Sequence, residues 1–250
     1  MKILTWNINR TNNLYKWQLD ELYNEKFDVI CLQEVSESNL RLLENVFINY
    51  NIYIASEKIN ANSRILHNLF IITMVSKDIE SNFSKFTINT KQPLQYKIIK
   101  RRIYIECGYV DLKYRNVDFR IFNSHLQCVT SPTERLNQLK SIFAQFNSNS
   151  KNIICGDLNT FSTPIISILI GWLFGYNHKD YLINEQKLLL NELRDINLSN
   201  PIIKGHSSIL RLGQLDYIIL QNDIKIINSS ILKKQSFGSD HFPVQVFFDI

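Results

Sequence analysis

The sequence predicts a mixed α/β (α+β) protein of two sheets covered by helices, and three observations support this class. First, short runs of β-branched or alternating apolar residues recur along the chain, which is typical of strands. Second, segments with helical spacing of apolar residues lie between these runs. Third, no linker, repeat or low-complexity stretch divides the 250 residues, so we expect one domain over residues 1–250.

The predicted elements interleave from one end of the chain to the other. The strands are Ile3–Ile8, Asp28–Leu32, Asn51–Ala55, Leu69–Val75, Ile103–Leu112, Val117–Asn123, Asn152–Cys155, Leu215–Leu220, Ile224–Ile227 and Val244–Phe248. The helices are Leu14–Tyr23, Asn39–Phe47, Thr133–Phe146 and Asn184–Leu193. The third helix has the clearest start, because Ser131 can cap it, Pro132 suits its first turn and Glu134 completes a capping box.

Composition narrows the class of protein. A hydrophobic share of 45% argues against disorder, and the apolar stretch Ile165–Tyr176 is too short to span a bilayer. The segment Met1–Arg10 lacks the apolar run of a secretory signal, and the four cysteines form no CxxC pair, so we expect a cytoplasmic protein with reduced thiols. The net charge of +5, with basic clusters at Lys97–Arg102 and Lys233–Lys234, suits a polyanionic partner.

Polar residues at the ends of apolar strands are the candidates for chemistry, because a buried polar group is costly without a partner. Six segments have this character: Thr5–Asn9, Leu32–Val35, Asn123–Gln127, Gly156–Asn159, Leu215–Tyr217 and Gly238–His241. Considered alone, each has an ordinary structural explanation. Asn7 suits a turn cap, Glu34 suits a salt bridge, and Asp157 fits a turn and a ligand site equally well.

Asp216 and His241 are expected to form a pair. Asp216 interrupts a strand that is otherwise apolar on both faces, so it should be buried and should have a partner. Asp240 precedes His241, and neighbours in an extended chain point to opposite sides, so Asp240 is poorly placed to orient the imidazole. A carboxylate from Asp216 would instead hold the ring in one tautomer for proton transfer.

The six segments together indicate a metal-assisted reaction. Their Glu, Asp and Asn oxygens suit a hard divalent cation, Mg²⁺, with Mn²⁺ as a substitute, and no Cys/His cluster has zinc spacing. With His125 and His241 beside such an ion, the set fits hydrolysis of a phosphodiester by an activated water.

In this order the segments resemble the endonuclease/exonuclease/phosphatase superfamily of metal-dependent phosphohydrolases, from Thr5 to Val244. The resemblance implies a four-layer α/β/β/α sandwich of two mostly antiparallel sheets flanked by helices. It also implies metal ligands at Asn7, Glu34 and Asp240, with Glu34 as the principal ligand. The catalytic residues that it implies are His125, Asp157, Asn159, Asp216 and His241.

The resemblance assigns a role to each catalytic residue. Asp157 would orient or deprotonate the attacking water, Asn159 would hold the phosphate, and His241 would bind phosphate and take part in proton transfer. His125 stands where the abasic-site branch has a tyrosine, which favours the Ser-His-Leu branches, whose histidine contacts phosphoryl oxygens. The same phosphate-binding role falls to Arg102 or to its neighbour Arg101.

Substrate identity is left open by two departures from the family pattern. The segment Asn68–Lys77 replaces a Gly-x-Ala-Ile-Leu-Ser-Arg stretch, and the segment Pro164–Tyr176 matches no specificity loop. The leading prediction is a monomeric nuclease or nucleic-acid-adduct phosphodiesterase without an obligate protein partner. An alternative is a lipid or inositol phosphohydrolase, sphingomyelinase-like or phosphoinositide phosphatase-like, for which exposed Trp172 and Phe174 would be evidence. A catalytically silent binding protein is disfavoured, because such a scaffold need not retain all eight site residues.

Overall fold

A computed structural model gives the architecture of the chain. It describes residues 1–61, 64–92, 94–98, 100–161, 171–172, 176–202, 205–209 and 213–250. Most of the apolar segment 164–176 lies outside these ranges. Among the described residues, no helix combines the length and the hydropathy that crossing a membrane requires.

The described elements alternate between strand and helix. In chain order they are β1 Lys2–Asn7, α1 Lys16–Asn24, β2 Val29–Val35, α2 Glu37–Val46, β3 Tyr50–Ala61, β4 Arg64–Ser76, β5 Ser81–Ile88, α3 Leu94–Ile98, β6 Arg101–Tyr114, β7 Val117–His125, α4 Pro132–Phe143, β8 Lys151–Asp157, a 3₁₀ turn Asp180–Leu182, α5 Glu185–Asp195, β9 Leu198–Ser199, β10 Asp216–Gln221, β11 Lys225–Ile231 and β12 Val244–Asp249.

The strands form a curled sheet in the order β11-β12-β1-β2-β4-β3-β6-β7-β8-β10-β9, with β5 beside β6. The pairs β1–β2 and β7–β8 are parallel, and the other described pairs are antiparallel. The sequence predicts two sheets, whereas the structure joins the two halves, because Glu57–Ala61 of β3 pairs with Arg101–Ile105 of β6.

Three apolar clusters separate the layers of the fold. One lies between the two halves of the sheet and brings together Ile3 and Val29 from one half with Ile121 and Ile153 from the other. A second packs α1 and α2 on the outer face of the first half, and a third packs α4 and α5 on the outer face of the second half. Helix, sheet, sheet and helix therefore follow one another, and the predicted fold class is confirmed.

Local signals account for most element boundaries. The Ser131 hydroxyl accepts a hydrogen bond from the Glu134 amide, so α4 starts at the predicted cap. The Glu134 carboxylate accepts from the Lys91 backbone instead of completing the predicted capping box. The helix ends at Phe143, three residues before the predicted end. Strand β5 and the short α3 are absent from the sequence prediction. The sequence pattern does not predict β5 because this strand is largely solvent-facing and its residues do not alternate cleanly between apolar and polar.

Candidate active site

The sheet topology gathers the predicted polar segments at one end of both halves of the sheet. Parallel β1 and β2 place Asn7 and Glu34 at neighbouring carboxyl ends, and parallel β7 and β8 place His125 directly opposite Asp157. Strand β10 is antiparallel to β8, so its first residue, Asp216, also pairs with Asp157. Residues that are far apart in sequence therefore meet at the same end of the sheet.

A β-bulge directs Glu34 toward this end of the sheet. Between the pairs Leu32–Ile72 and Val35–Phe70, two residues of β2 oppose one residue of β4. Glu34 is one of these two residues, and it has a left-handed φ of 54°. A non-glycine residue adopts this conformation at a cost of about 1–2 kcal/mol. The bulge re-aims the carboxylate, as bulges beside active sites commonly do.

Asn7 links the carboxylates of Glu34 and Asp157. Its amide nitrogen donates to Glu34 Oε1 at 3.1 Å and to Asp157 Oδ2 at 2.9 Å. Its amide oxygen accepts from the backbone N–H of Asn9 at 2.9 Å. The carboxylate of Glu34 also accepts from the Arg10 backbone through Oε2 at 3.1 Å. Two negative charges are thus held on either side of one amide.

The turn after β8 positions Asp157 and Asn159. Gly156 has a φ of 138°, and a Cβ atom there would lie 1.9 Å from the backbone oxygen of Ser124, so only glycine allows β7 and β8 to approach this closely. Asp157 is 1% exposed, and its Oδ1 accepts from the Asn159 backbone at 2.9 Å. The Asn159 amide nitrogen donates to the Leu126 carbonyl, which ties this turn to the segment after β7.

The predicted contact between Asp216 and His241 is present. Asp216 is fully buried, and its Oδ2 lies 2.8 Å from His241 Nδ1, which is also 3.8 Å from Asp157 Oδ2. The hydroxyl of Ser239 accepts from the His241 backbone, and the hydroxyl of Ser207 accepts from the Asp216 backbone. Side chain and backbone together hold the imidazole against Asp216.

A second histidine–carboxylate pair lies on the opposite side of Asp157. His125 Nδ1 is 2.8 Å from Glu57 Oε2, and His125 Nε2 is 3.8 Å from both Glu34 Oε1 and Asp157 Oδ2. Sequence reasoning misses Glu57, because a glutamate on a long strand of mixed polarity resembles a solvent-facing residue. No local signal identifies it as the partner of a histidine 68 residues away.

The carboxylates give both imidazoles the character of cations. Burial lowers the pKa of His241, but the carboxylates of Asp216 and Asp157 outweigh it and raise this pKa to about 10. Burial likewise lowers the pKa of His125, and Glu57, Asp157 and Glu34 raise it to about 10. Burial raises the pKa of the Asp216 carboxyl, and the charge of His241 opposes this rise. Two positive rings therefore flank the buried Asp157.

Two predicted site residues stand apart from this cluster. The Asp240 carboxylate accepts from the Asn9 amide at 2.7 Å, so it lies at the rim beside β1. Arg102 pairs with Asn60 across the β3–β6 ladder and lines a neighbouring basic cavity. The remaining predicted residues meet around Asp157.

A buried polar network fastens the two halves of the sheet beneath the site. The amide of Gln33 donates to Asn123 Oδ1 at 2.8 Å and to Thr5 Oγ1 at 3.0 Å, and Asn123 donates to the Ile72 carbonyl at 2.8 Å. Gln33 and Asn123 are 0% exposed. These residues lie within segments that the sequence singles out, but they serve the packing of the halves that carry Glu34 and His125.

The donor set fits a hard divalent cation. Glu34 and Asp157 supply carboxylate oxygens joined by the Asn7 amide, and Asp240 supplies another farther out beside Asn9; oxygens of this kind are the ligands that Mg²⁺ prefers. Ligand atoms of Asp157, Asp216 and His241 also lie within 4.8 Å of one another. In that trio, however, Asp216 already pairs with His241 and is buried, whereas the Glu34 side chain is 23% exposed. The Glu34 carboxylate is therefore more accessible to an ion from solvent than the groups of that trio.

Comparisons with known proteins concern the family and the fold. The sequence model of the Endonuclease/Exonuclease/phosphatase family matches residues 4–241. An endonuclease/exonuclease/phosphatase from Beutenbergia cavernae aligns with a TM-score of 0.73 and 14% identity, over 100% of this chain and 71% of that chain. TDP2 from D. rerio, in complex with a single-stranded DNA product, aligns with a TM-score of 0.66 and 14% identity, over 100% and 99% of the two chains.

A mannosyl-6-phosphatase from Bacteroides thetaiotaomicron aligns with a TM-score of 0.66 and 13% identity, over the full length of both chains. At such low identities these solved structures show a common fold, and a search of curated proteins found no match. The family match covers nearly the whole chain. This chain therefore belongs to the endonuclease/exonuclease/phosphatase family of phosphoric-ester hydrolases.

Proposed function

We propose that this protein is a Mg²⁺-dependent phosphodiesterase that cleaves nucleic acid or a nucleic-acid adduct in the cytoplasm. The observation that carries the proposal is the arrangement around Asp157, whose Oδ2 lies 3.8 Å from His125 on one side and 3.8 Å from His241 on the other. Glu34 completes the set from the neighbouring strand through the amide of Asn7. A base, cationic donors and a metal position together can catalyse hydrolysis of a phosphoric ester.

The charged residues of the site have different roles in the proposed reaction. Asp157 is buried within 3.8 Å of two cationic rings, and in this proposal it orients the attacking water and accepts its proton. His125 and His241 donate hydrogen bonds to the phosphoryl oxygens, where negative charge develops in the transition state. Glu57 and Asp216 keep those rings protonated and aligned through bonds of 2.8 Å.

Glu34, with Asn7 and Asp240 nearby, would hold the Mg²⁺ ion. When bound, the ion supplies Lewis-acid stabilisation of phosphoryl charge. Asn7 acts within this set by separating the Glu34 and Asp157 carboxylates, with its amide nitrogen between them. Asn159 holds the turn that carries Asp157, and we assign it a phosphate contact from this position.

Nucleic acid is favoured as substrate by charge and by fold. The chain has a net charge of +5 with a basic cluster at Lys97–Arg102, which suits a polyphosphate backbone. A protein of the same fold binds a single-stranded DNA product. The lipid alternative rests on Trp172, which is 62% exposed, because Phe174 lies outside the described residues.

A panel of substrates tests the proposal. Single- and double-stranded DNA, RNA, 5′-tyrosyl DNA, sphingomyelin, phosphoinositides and a sugar phosphate would each be assayed with Mg²⁺ and with EDTA. We expect turnover of a nucleic-acid substrate with Mg²⁺, none with EDTA, and an unchanged melting temperature, since the apolar clusters hold the fold together. Turnover of a lipid or a sugar phosphate alone would contradict the substrate assignment.

A matched pair of variants tests the metal position. Glu34→Gln should abolish turnover and weaken Mg²⁺ binding in calorimetry, because it removes the charge at the bulge. Glu37→Gln removes an exposed carboxylate three residues away that pairs with Arg41, and it should leave both measurements at the wild-type level. Near-normal turnover of Glu34→Gln at saturating Mg²⁺ would refute the assignment.

A further inference from the structure

A basic cavity of about 980 Å³ lies at the β3–β6 pairing that joins the two halves of the sheet. Its lining includes four cations, Lys97, Lys100, Arg101 and Arg102, and the ring of Tyr104. All four cations are exposed, and Tyr104 is 42% exposed. The cavity therefore offers several positive charges and one aromatic face to a ligand from solvent.

The charges in this cavity are not neutralised within the described part of the chain. None of the four cations forms an ion pair with a described residue. In contrast, Arg120 pairs with Asp111 and Arg135 pairs with Glu185. Like charges that converge without a counter-ion repel one another, so a bound anion would relieve this repulsion. A ligand with several negative charges suits the cavity best.

The strand register connects the cavity to the catalytic residues. On β3, Glu57 contacts His125, and Asn60 lies three residues further along, opposite Arg102. At about 3.3 Å per residue, three residues span ~10 Å. The pKa of Tyr96 shows the same proximity, because burial and the Glu57 carboxylate raise it while Arg101 lowers it. Glu57, the partner of His125, and Asn60 of the cavity lining are therefore ~10 Å apart along β3, so the cavity lies beside the catalytic residues.

We propose that this cavity binds phosphates of a single nucleic-acid strand that lie within about three nucleotides of the scissile bond. This proposal rests on the proposed nuclease function and specifies where the rest of the substrate lies. In a duplex each strand advances about 3.4 Å per nucleotide along the axis, so ~10 Å corresponds to at most about three nucleotides, and to fewer in an extended single strand. The exposed ring of Tyr104 provides a stacking surface for an unpaired base, which favours a single strand over a duplex.

A length series of oligonucleotides tests the proposal. Single strands of two to six nucleotides would be hydrolysed by the wild type, by Lys97→Gln/Lys100→Asn and by Lys113→Gln. Asparagine suits position 100, because Lys100 has a φ of 52° and asparagine tolerates that conformation. Lys113 is the matched control, an exposed lysine on the same strand, eleven residues or ~36 Å beyond Arg102.

We expect kcat/KM of the wild type and of Lys113→Gln to rise at least tenfold from the dinucleotide to the hexanucleotide. The double variant should lose this gain, and its slope of log(kcat/KM) against log[salt] should be shallower by about 1.4, or 0.7 for each of two lost phosphate contacts. An equal length dependence in all three proteins, or tighter binding of a duplex than of a single strand, would overturn the proposal.

A binding measurement separates this proposal from the proposed function. Fluorescence anisotropy of a labelled hexanucleotide, in EDTA, reports on the cavity without turnover. If no oligonucleotide is hydrolysed but the hexanucleotide binds the wild type and not the double variant, the cavity proposal stands and the nuclease function is wrong. If the wild type and the double variant bind the hexanucleotide equally, or neither binds it, the cavity proposal is wrong.

Discussion

The pairing of Asp216 with His241 predicts a pH dependence of stability that one substitution should reduce. The pKa of His241 is about 10 in the folded protein, against an ordinary value of 6.5. Between these values the folded protein binds one more proton at this ring than the unfolded chain does. The contribution of this ring to the free energy of unfolding should therefore be fully present below pH 6.5 and should be lost as the pH rises through about 10.

The structure sets the size of the effect. The difference between a pKa of 10 and a pKa of 6.5 corresponds to about 5 kcal/mol of pH-dependent stability. Burial of the ring lowers this pKa, and the charges of Asp216, Asp157 and Asp240 together raise it by more. An opposite charge within hydrogen-bonding distance raises such a pKa by about 1–3. Asp216→Asn removes this charge and should reduce the fall in stability between pH 6.5 and 10 by ~1–4 kcal/mol.

Urea denaturation at a series of pH values, in EDTA, measures the fall directly. Asp223→Asn is the control, because this aspartate is exposed and pairs with Lys151 on the surface. The stability of Asp223→Asn should depend on pH in the same way as the stability of the wild type over this range. Equal pH dependence in Asp216→Asn and the wild type would refute the view that Asp216 holds the proton on His241.

The same substitution should slow catalysis. Loss of one transition-state donor costs about 3 kcal/mol, or roughly 10²-fold in kcat. Because Asp216 acts through His241, the double variant Asp216→Asn/His241→Ala should be little slower than either single variant. Losses in kcat that multiply independently would show that the two residues do not act as a unit.

Three further predictions concern the stability of the fold. Gly156→Ala should lower the free energy of unfolding by ~3 kcal/mol, because the new Cβ meets the Ser124 carbonyl, and a loss within 0.5 kcal/mol in urea would contradict this. Glu185→Gln leaves the buried Arg135 guanidinium without its counter-charge, so it should lower the free energy of unfolding by about 3–5 kcal/mol and the melting temperature by ~6 °C or more. An unchanged melting temperature in calorimetry would refute this prediction. Burial raises the pKa of Tyr50 to about 12, so the wild type should lose stability from pH 10 to 12 while Tyr50→Phe loses less, and identical alkaline denaturation curves would exclude this role.

The chemistry of the site follows largely from the sequence. Asp216 lies on a strand that is apolar on both faces, and this alone requires burial and a partner. The alternation of side chains along an extended chain disfavours Asp240 as the partner of His241. The observed contact of 2.8 Å between Asp216 and His241 agrees with that reasoning. Periodicity likewise predicts most strands, because it records which face of each strand meets the core.

The tertiary structure alone decides three features of the site. Glu57 becomes the partner of His125 through strand pairing that joins residues 68 positions apart. Glu34 reaches the site through a β-bulge and a positive φ, and the sequence around it predicts neither. The basic cluster becomes a cavity beside the site only because Arg101–Ile105 pairs with Glu57–Ala61. The physical reason is common to all three: residue patterns record the burial of one segment, whereas register between distant strands depends on how both halves of the sheet pack together.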